Sequence, residues 1–114
     1  MRNDLAAWQW ANYPRNHRDR QNLLIHAVTV PVFHAGTLAV ITAPWMGATS
    51  AFGGLLMCAF AMHAQHRGHA REGEKPIPFD GPLDAAARVF TEQWVTFPRY
   101  LFRGGFARAW GASR

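Results

Sequence analysis

A chain of 114 residues holds one small domain, and a formal net charge of +5 makes nucleic-acid binding the first function class to weigh. Its basic residues form no stripe interleaved with aromatics: Arg2, Arg15, Arg18 and Arg20 precede an apolar middle, and Arg67, Arg71 and Lys75 follow it, so nucleic acid is set aside in favour of anionic lipid. The single cysteine, Cys58, excludes an intrachain disulfide framework, and the first fifteen residues lack an apolar stretch of signal-peptide length.

In chain order, Asn3 or Asp4 is placed to cap a short helix running to about Asn12, with Leu5 and Trp8 on its apolar side. Tyr13-Pro14 ends it. A long helix is expected from about Arg20 to Ala43, kinked at Pro31, with Ala35, Ala39 and Ala43 as a small-residue strip for close helix contact. Ala43-Pro44-Trp45-Met46-Gly47 reads as a turn. A second apolar segment follows, with Gly47, Ala51 and Gly54 as its small-residue surface.

No Asp, Glu, Lys or Arg occurs from Gln21 to His66. The turn divides that stretch into two segments of about 20 residues, and ~20 apolar residues as helix cross a bilayer core. The expected fold is therefore all-α: a transmembrane helical hairpin over about 21–66, a histidine-bearing loop over 67–82 and interfacial amphipathic helices over 83–110, all in one membrane-embedded domain, 1–114. Arginines at both open ends put both termini on the cytoplasmic side, at the inner membrane if the cell is bacterial. In the last part, Leu83, Ala87, Phe90, Trp94 and Phe97 have helical spacing, Pro98 interrupts, and Arg99, Arg103 and Arg108 lie among aromatics, which suits a helix in the headgroup region.

Six histidines, His17, His26, His34, His63, His66 and His69, lie in or around the apolar stretch. Asn22 and His26 share a helix face, as do His63 and His66, and an antiparallel hairpin brings these two ends together. His17 can fold over the same mouth. Converging neutral imidazoles can bind iron, zinc or copper, with Asp19, Glu72 or Glu74 as an oxygen ligand or an acceptor that fixes a tautomer. His63 and His66 are reserve ligands, whereas His34, mid-helix and alone, reads as a histidine that merely hydrogen-bonds and is dispensable to the metal site. No two histidines are adjacent, which disfavours the diiron fatty-acid hydroxylases.

The run His17-Arg-Asp-Arg-Gln-Asn22-Leu-Leu-Ile-His26, continuing to Pro31, resembles the first signature of the yeast-type 2-hydroxy fatty acid dioxygenase family. Gln65-His-Arg-Gly68-His69, followed by Glu72 and Pro76, resembles its second, and Glu92-Gln93-Trp94 with Phe97-Pro98-Arg99-Tyr100 is similar to the tail of bacterial members. The resemblance implies an integral membrane enzyme that uses Fe(2+) and O2 to shorten 2-hydroxy fatty acids by one carbon. It carries metal binding to His17, His26 and His69 and supporting catalytic roles to Asn22 and Glu72; His66 is not a family position and stays a further candidate ligand on the histidine pattern alone. The interval from His69 to Glu72 is one residue shorter than usual in the family, which leaves Glu74 as an alternative counterpart. Arg15, Arg67 or Arg71 can pair with the substrate carboxylate. Two helices are few to enclose a lipid and a metal, so a homo-oligomer is expected. Two rival readings stand beside this one: a non-catalytic membrane protein whose histidines are structural and whose tail binds a partner, and a soluble helical domain that oligomerises through its apolar segments.

Overall fold

Every regular element in the computed structural model is helical, and no strand occurs among the described residues, 3–113. Arg2, one of the flanking basic residues, lies outside them. Helix α1 (Leu5–Asn12) runs into a 3-10 turn at Tyr13–Asn16. The two long helices are α2 (Arg20–Ile41) and α4 (Ala48–His69), joined through the single turn α3 (Ala43–Met46). Gly47 adopts φ 98° between α3 and α4, a left-handed conformation that glycine enters without steric cost.

Asp4 occupies the N-cap position of α1 but makes no side-chain cap bond. The cap of α2 is fully made: Asp19 Oδ2 accepts the Asn22 backbone N–H at 3.0 Å. Helix α2 continues through Pro31. Helix α4 extends past the expected boundary near residue 66, so His69 closes the helix instead of lying in the loop. Nothing from Gln65 to Ala70 breaks a helix strongly; the first strong breakers are Gly73 and Pro76.

The long helices pack antiparallel. A Cβ at Gly36 would stand 2.8 Å from the Gly54 carbonyl oxygen, and one at Gly54 would stand 2.9 Å from the Val40 nitrogen, so the backbones touch where only hydrogen fits. Ser50 Oγ donates to the Ala39 carbonyl at 2.7 Å. The contact thus uses Gly54 as expected, but on α2 it centres on Gly36, and Ala35 is exposed.

Helix α2 is long and apolar enough to cross a membrane, with a mean hydropathy of 1.8 over its best stretch, of which 28% is buried by the rest of the protein. Helix α4 has the same length but does not reach that apolarity. Leu24, Val28, Leu38 and Ile41 of α2 and Phe52, Leu55, Leu56 and Phe60 of α4 are exposed.

Past the connecting segment come α5 (Pro82–Thr91), a π-helical turn (Glu92–Thr96), α6 (Phe97–Phe102) and α7 (Gly105–Ala112). They gather with α1 against the first half of α2, around a core of Tyr13, Val30, Phe97 and Tyr100. Pro98 does not interrupt: it sits in the first turn of α6, where a missing N–H costs little. The irregularity lies upstream, in the π turn, whose wider winding breaks the 3.6-residue register. Of the expected stripe only Phe97 is buried, while Leu83 is exposed, Phe90 and Trp94 are half-exposed against Phe33 and His34, and Asp84, Arg88, Gln93 and Thr96 are buried.

Candidate metal centre

Three imidazoles meet where the N-terminal turn, the start of α2 and the end of α4 come together. His17 follows the 3-10 turn and is buried, with its ring stacked on Tyr13 at 3.7 Å. His26 is fully buried on the second turn of α2, and His69 is the last residue of α4. The ring centroids form a near-equilateral triangle: 4.8 Å from His17 to His26, 4.7 Å from His17 to His69 and 4.9 Å from His26 to His69. Successive planes are turned by 81° to 83°, so the rings present edges to one another.

Their nitrogens are oriented by the backbone. His17 Nδ1 lies 2.7 Å from the Tyr13 carbonyl and His26 Nδ1 lies 3.0 Å from the Asn22 carbonyl. A carbonyl only accepts, so each Nδ1 carries the proton and each Nε2 keeps its lone pair. Those two Nε2 atoms, and Nδ1 of His69, are buried without a hydrogen-bond partner. Three lone-pair donors left without partners in a closed space are costly unless a cation completes them, so the residues fit a metal ion.

A fourth donor comes from the π turn. Glu92 Oε2 lies 3.4 Å from Nε2 of both His17 and His26, and one ligand atom from each of His17, His26, His69 and Glu92 lies within 4.8 Å of the others. The Tyr13 hydroxyl donates to the same oxygen at 3.0 Å. Three imidazoles and one carboxylate suit zinc or iron.

The electrostatics agree with that use. Burial pushes the His69 imidazole down from its ordinary 6.5 to about 3, helped by the neighbouring His17 and His26. Burial lowers His17 as well, against the pull of Glu92. At Glu92 burial works against ionisation, but the two imidazoles hold the carboxyl well below the usual carboxylate range. Burial, then the Glu92 charge, raises the Tyr13 hydroxyl and keeps it a donor. Neutral imidazoles beside an ionised carboxylate are the protonation states that a cation needs.

The other expected site residues lie around this group. Glu72 is buried, and its carboxylate accepts the backbone N–H of Arg18 (2.9 Å), that of Asp19 (2.9 Å) and the Asn22 amide (2.7 Å). It ties the connecting segment to the turn that carries His17. Asn22 is buried against Gly68, where any Cβ would collide with its Oδ1. Asn22 and Glu72 therefore stand behind the imidazoles, outside the four-donor group. His66 is exposed and apart from the donors, as is His63, and Glu74 is exposed. His34 stands outside the donor group and hydrogen-bonds instead: its Nε2 meets the Gln93 carbonyl and its ring stacks on Trp94 at 4.1 Å, which braces the π turn.

Arg15, Arg67 and Arg71 are all exposed, and Arg71 Nε is spent on Asp19 Oδ2 at 3.0 Å. None of them lines the cavity of about 640 Å³ that reaches His17, His69 and Glu92. Trp8, Met62, Ile77, Phe79 and Val89 supply its apolar wall, a size and character usual for small-molecule sites.

Glu92 is the donor that sequence reasoning missed as a ligand. The available signal was the only charged residue between Arg88 and Arg99; the π turn hid which way it faces.

A family model described as 2-hydroxy-palmitic acid dioxygenase Mpo1-like matches residues 4–99. No curated protein and no solved structure matches the chain.

Proposed function

The chain belongs to the Mpo1-like family, and on that premise we propose that it is an iron(II)-dependent membrane dioxygenase that shortens 2-hydroxy fatty acids by one carbon. The observation that carries the reading is the set of three buried, unpartnered imidazole nitrogens converging beside Glu92. One O2 per substrate balances the reaction: the bond between C1 and C2 breaks, C2 becomes the carboxyl of the shorter acid, and C1 leaves as carbon dioxide with one water.

His17, His26 and His69 would hold the iron, and Glu92 would supply a fourth donor or a charge beside it. Bound ferrous iron would supply O2 activation and an electrophilic site for the hydroxyl and carboxylate of the substrate. The Tyr13 and Asn22 carbonyls hold two imidazoles in the tautomer that offers Nε2. Glu72 pins the His17 turn, and the Tyr13 hydroxyl fixes the Glu92 carboxylate. The apolar wall of the cavity takes the alkyl chain.

A lipid substrate suits a membrane location. The exposed apolar faces of α2 and α4 would lie in lipid up to about residue 66, with Trp45 and Met46 across the bilayer and both termini cytoplasmic. Leu83 and Phe102, both exposed, would rest at the interface. One chain assembles the whole donor group, so a homo-oligomer is not needed to complete it.

The test is metal analysis of anaerobically purified protein, paired with turnover of a long-chain 2-hydroxy acid given ferrous iron and O2. Stoichiometric iron and a product one carbon shorter support the reading; protein that binds no metal at the three imidazoles ends it.

A further inference from the structure

Two basic side chains, Lys75 and Arg88, line the cavity, and they are occupied differently. Arg88 is buried, lies 3.4 Å from the Asp84 carboxylate, donates to the Ile77 and Pro78 carbonyls at 2.6 and 3.1 Å, and packs against the faces of Trp8 and Phe79. Its charge is spent on holding the connecting segment against α1 and α5. Lys75 has no carboxylate partner among the described residues. Its ammonium donates to the Ala70 carbonyl at 2.7 Å and to the Glu72 carbonyl, which leaves the third N–H unspent.

Those two carbonyls fix where the charge sits. Ala70 follows His69 directly, so the ammonium of the exposed Lys75 is held near the end of α4, at a cavity whose wall is apolar along Trp8, Met62, Ile77, Phe79 and Val89. A single uncompensated cation there matches a monoanionic head, and the apolar wall matches a hydrocarbon tail. A phosphate dianion would leave charge unpaired. We infer that Lys75 anchors the carboxylate of a long-chain acid bound in the cavity. The inference rests on the reading of the cavity as the substrate site and adds the residue that selects an acid over a neutral lipid; Arg15, Arg67 and Arg71 have no part in it.

The experiment compares hexadecanoic acid with hexadecan-1-ol as competitors of a bound fluorescent fatty acid, using the full chain in detergent. Neither ligand needs metal or turnover. The wild type is expected to prefer the acid by about tenfold, the scale of one charge-assisted hydrogen bond at a partly exposed site. Lys75→Met should remove that preference and leave the alcohol affinity unchanged, while Lys75→Arg should keep most of it. An acid preference that survives in Lys75→Met overturns the inference, as does an equal loss of acid and alcohol binding, which would give Lys75 a role only in the shape of the segment. If Lys75 sets the acid preference but the wild type oxidises no 2-hydroxy acid, the catalytic reading alone fails.

Discussion

The Tyr13 hydroxyl donates to Glu92 Oε2 at 3.0 Å across 79 residues of sequence, while the Tyr13 ring stacks on His17 and its carbonyl accepts from the same imidazole. One residue thus orients a nitrogen donor through its backbone and an oxygen donor through its side chain. The N-terminal turn and the π turn are held in register by that contact.

Tyr13→Phe separates these roles, because it keeps the ring and the carbonyl and removes only the hydroxyl. Metal affinity, read by competition with a chelator, should fall about tenfold, at the low end of the effect of losing a group that orients a ligand. Stability should fall by about 1 kcal/mol, the net worth of one hydrogen bond. Unchanged affinity would mean that Glu92 is placed without Tyr13.

Replacing His17, His26 or His69 by Ala should abolish tight metal binding, since each removes one of three nitrogens that face a common point. His63→Ala and His66→Ala should leave metal content intact, as both rings are exposed and outside the donor group. Glu92→Gln keeps an oxygen but loses the charge, and should weaken binding less than any of the three imidazole losses. Metal analysis of the five histidine variants in parallel checks the assignment.

The convergence of His17, His26 and His69 was legible because period-3.6 reasoning puts Asn22 with His26, and an antiparallel pair brings the start of one helix to the end of the other. The all-helical fold followed from two apolar segments and a glycine-bearing turn. Glu92 was hidden by the π turn, since a helical wheel drawn at a constant 100° per residue puts Trp94 inside, and here Gln93 and Thr96 are inside instead. The work of Glu72 was also out of reach: a carboxylate that ties backbone N–H groups 53 and 54 residues away leaves no periodic trace. That His34 only hydrogen-bonds was legible, but not its partner, because the carbonyl it meets is 59 residues distant.

Acid should destabilise the metal-free protein in a window set by His69. Its native value of about 3 lies below the ordinary 6.5, so between them the unfolded chain binds a proton that the native one does not. The stability due to the neutral ring is whole above pH 6.5 and is lost as pH falls from there towards about 3. His17 is shifted the same way and adds to the slope, and Glu92, also lowered, adds to it below the ordinary carboxylate value. Denaturant midpoints measured from pH 7 to pH 4 should decline in the metal-free form. The metal-loaded form should decline less until protons displace the ion. A flat profile without metal would contradict the neutral cluster.

Glu72→Gln distinguishes a carboxylate that acts on substrate from one that positions a ligand. The native carboxylate accepts from two backbone N–H groups and the Asn22 amide, and a side-chain amide would turn donors towards some of these donors. The turn bearing His17 should loosen, with a loss of about 1–3 kcal/mol in stability from the broken buried bonds. Metal affinity should fall between about tenfold and a hundredfold, because His17 is then no longer held against His26 and His69. Gly68→Ala should act in the same direction, since its Cβ would push Asn22 away from this network. A purely catalytic Glu72 predicts the opposite pattern: turnover lost, with metal affinity and melting temperature unchanged. Measuring chelator competition and thermal unfolding on one preparation of Glu72→Gln decides between the two.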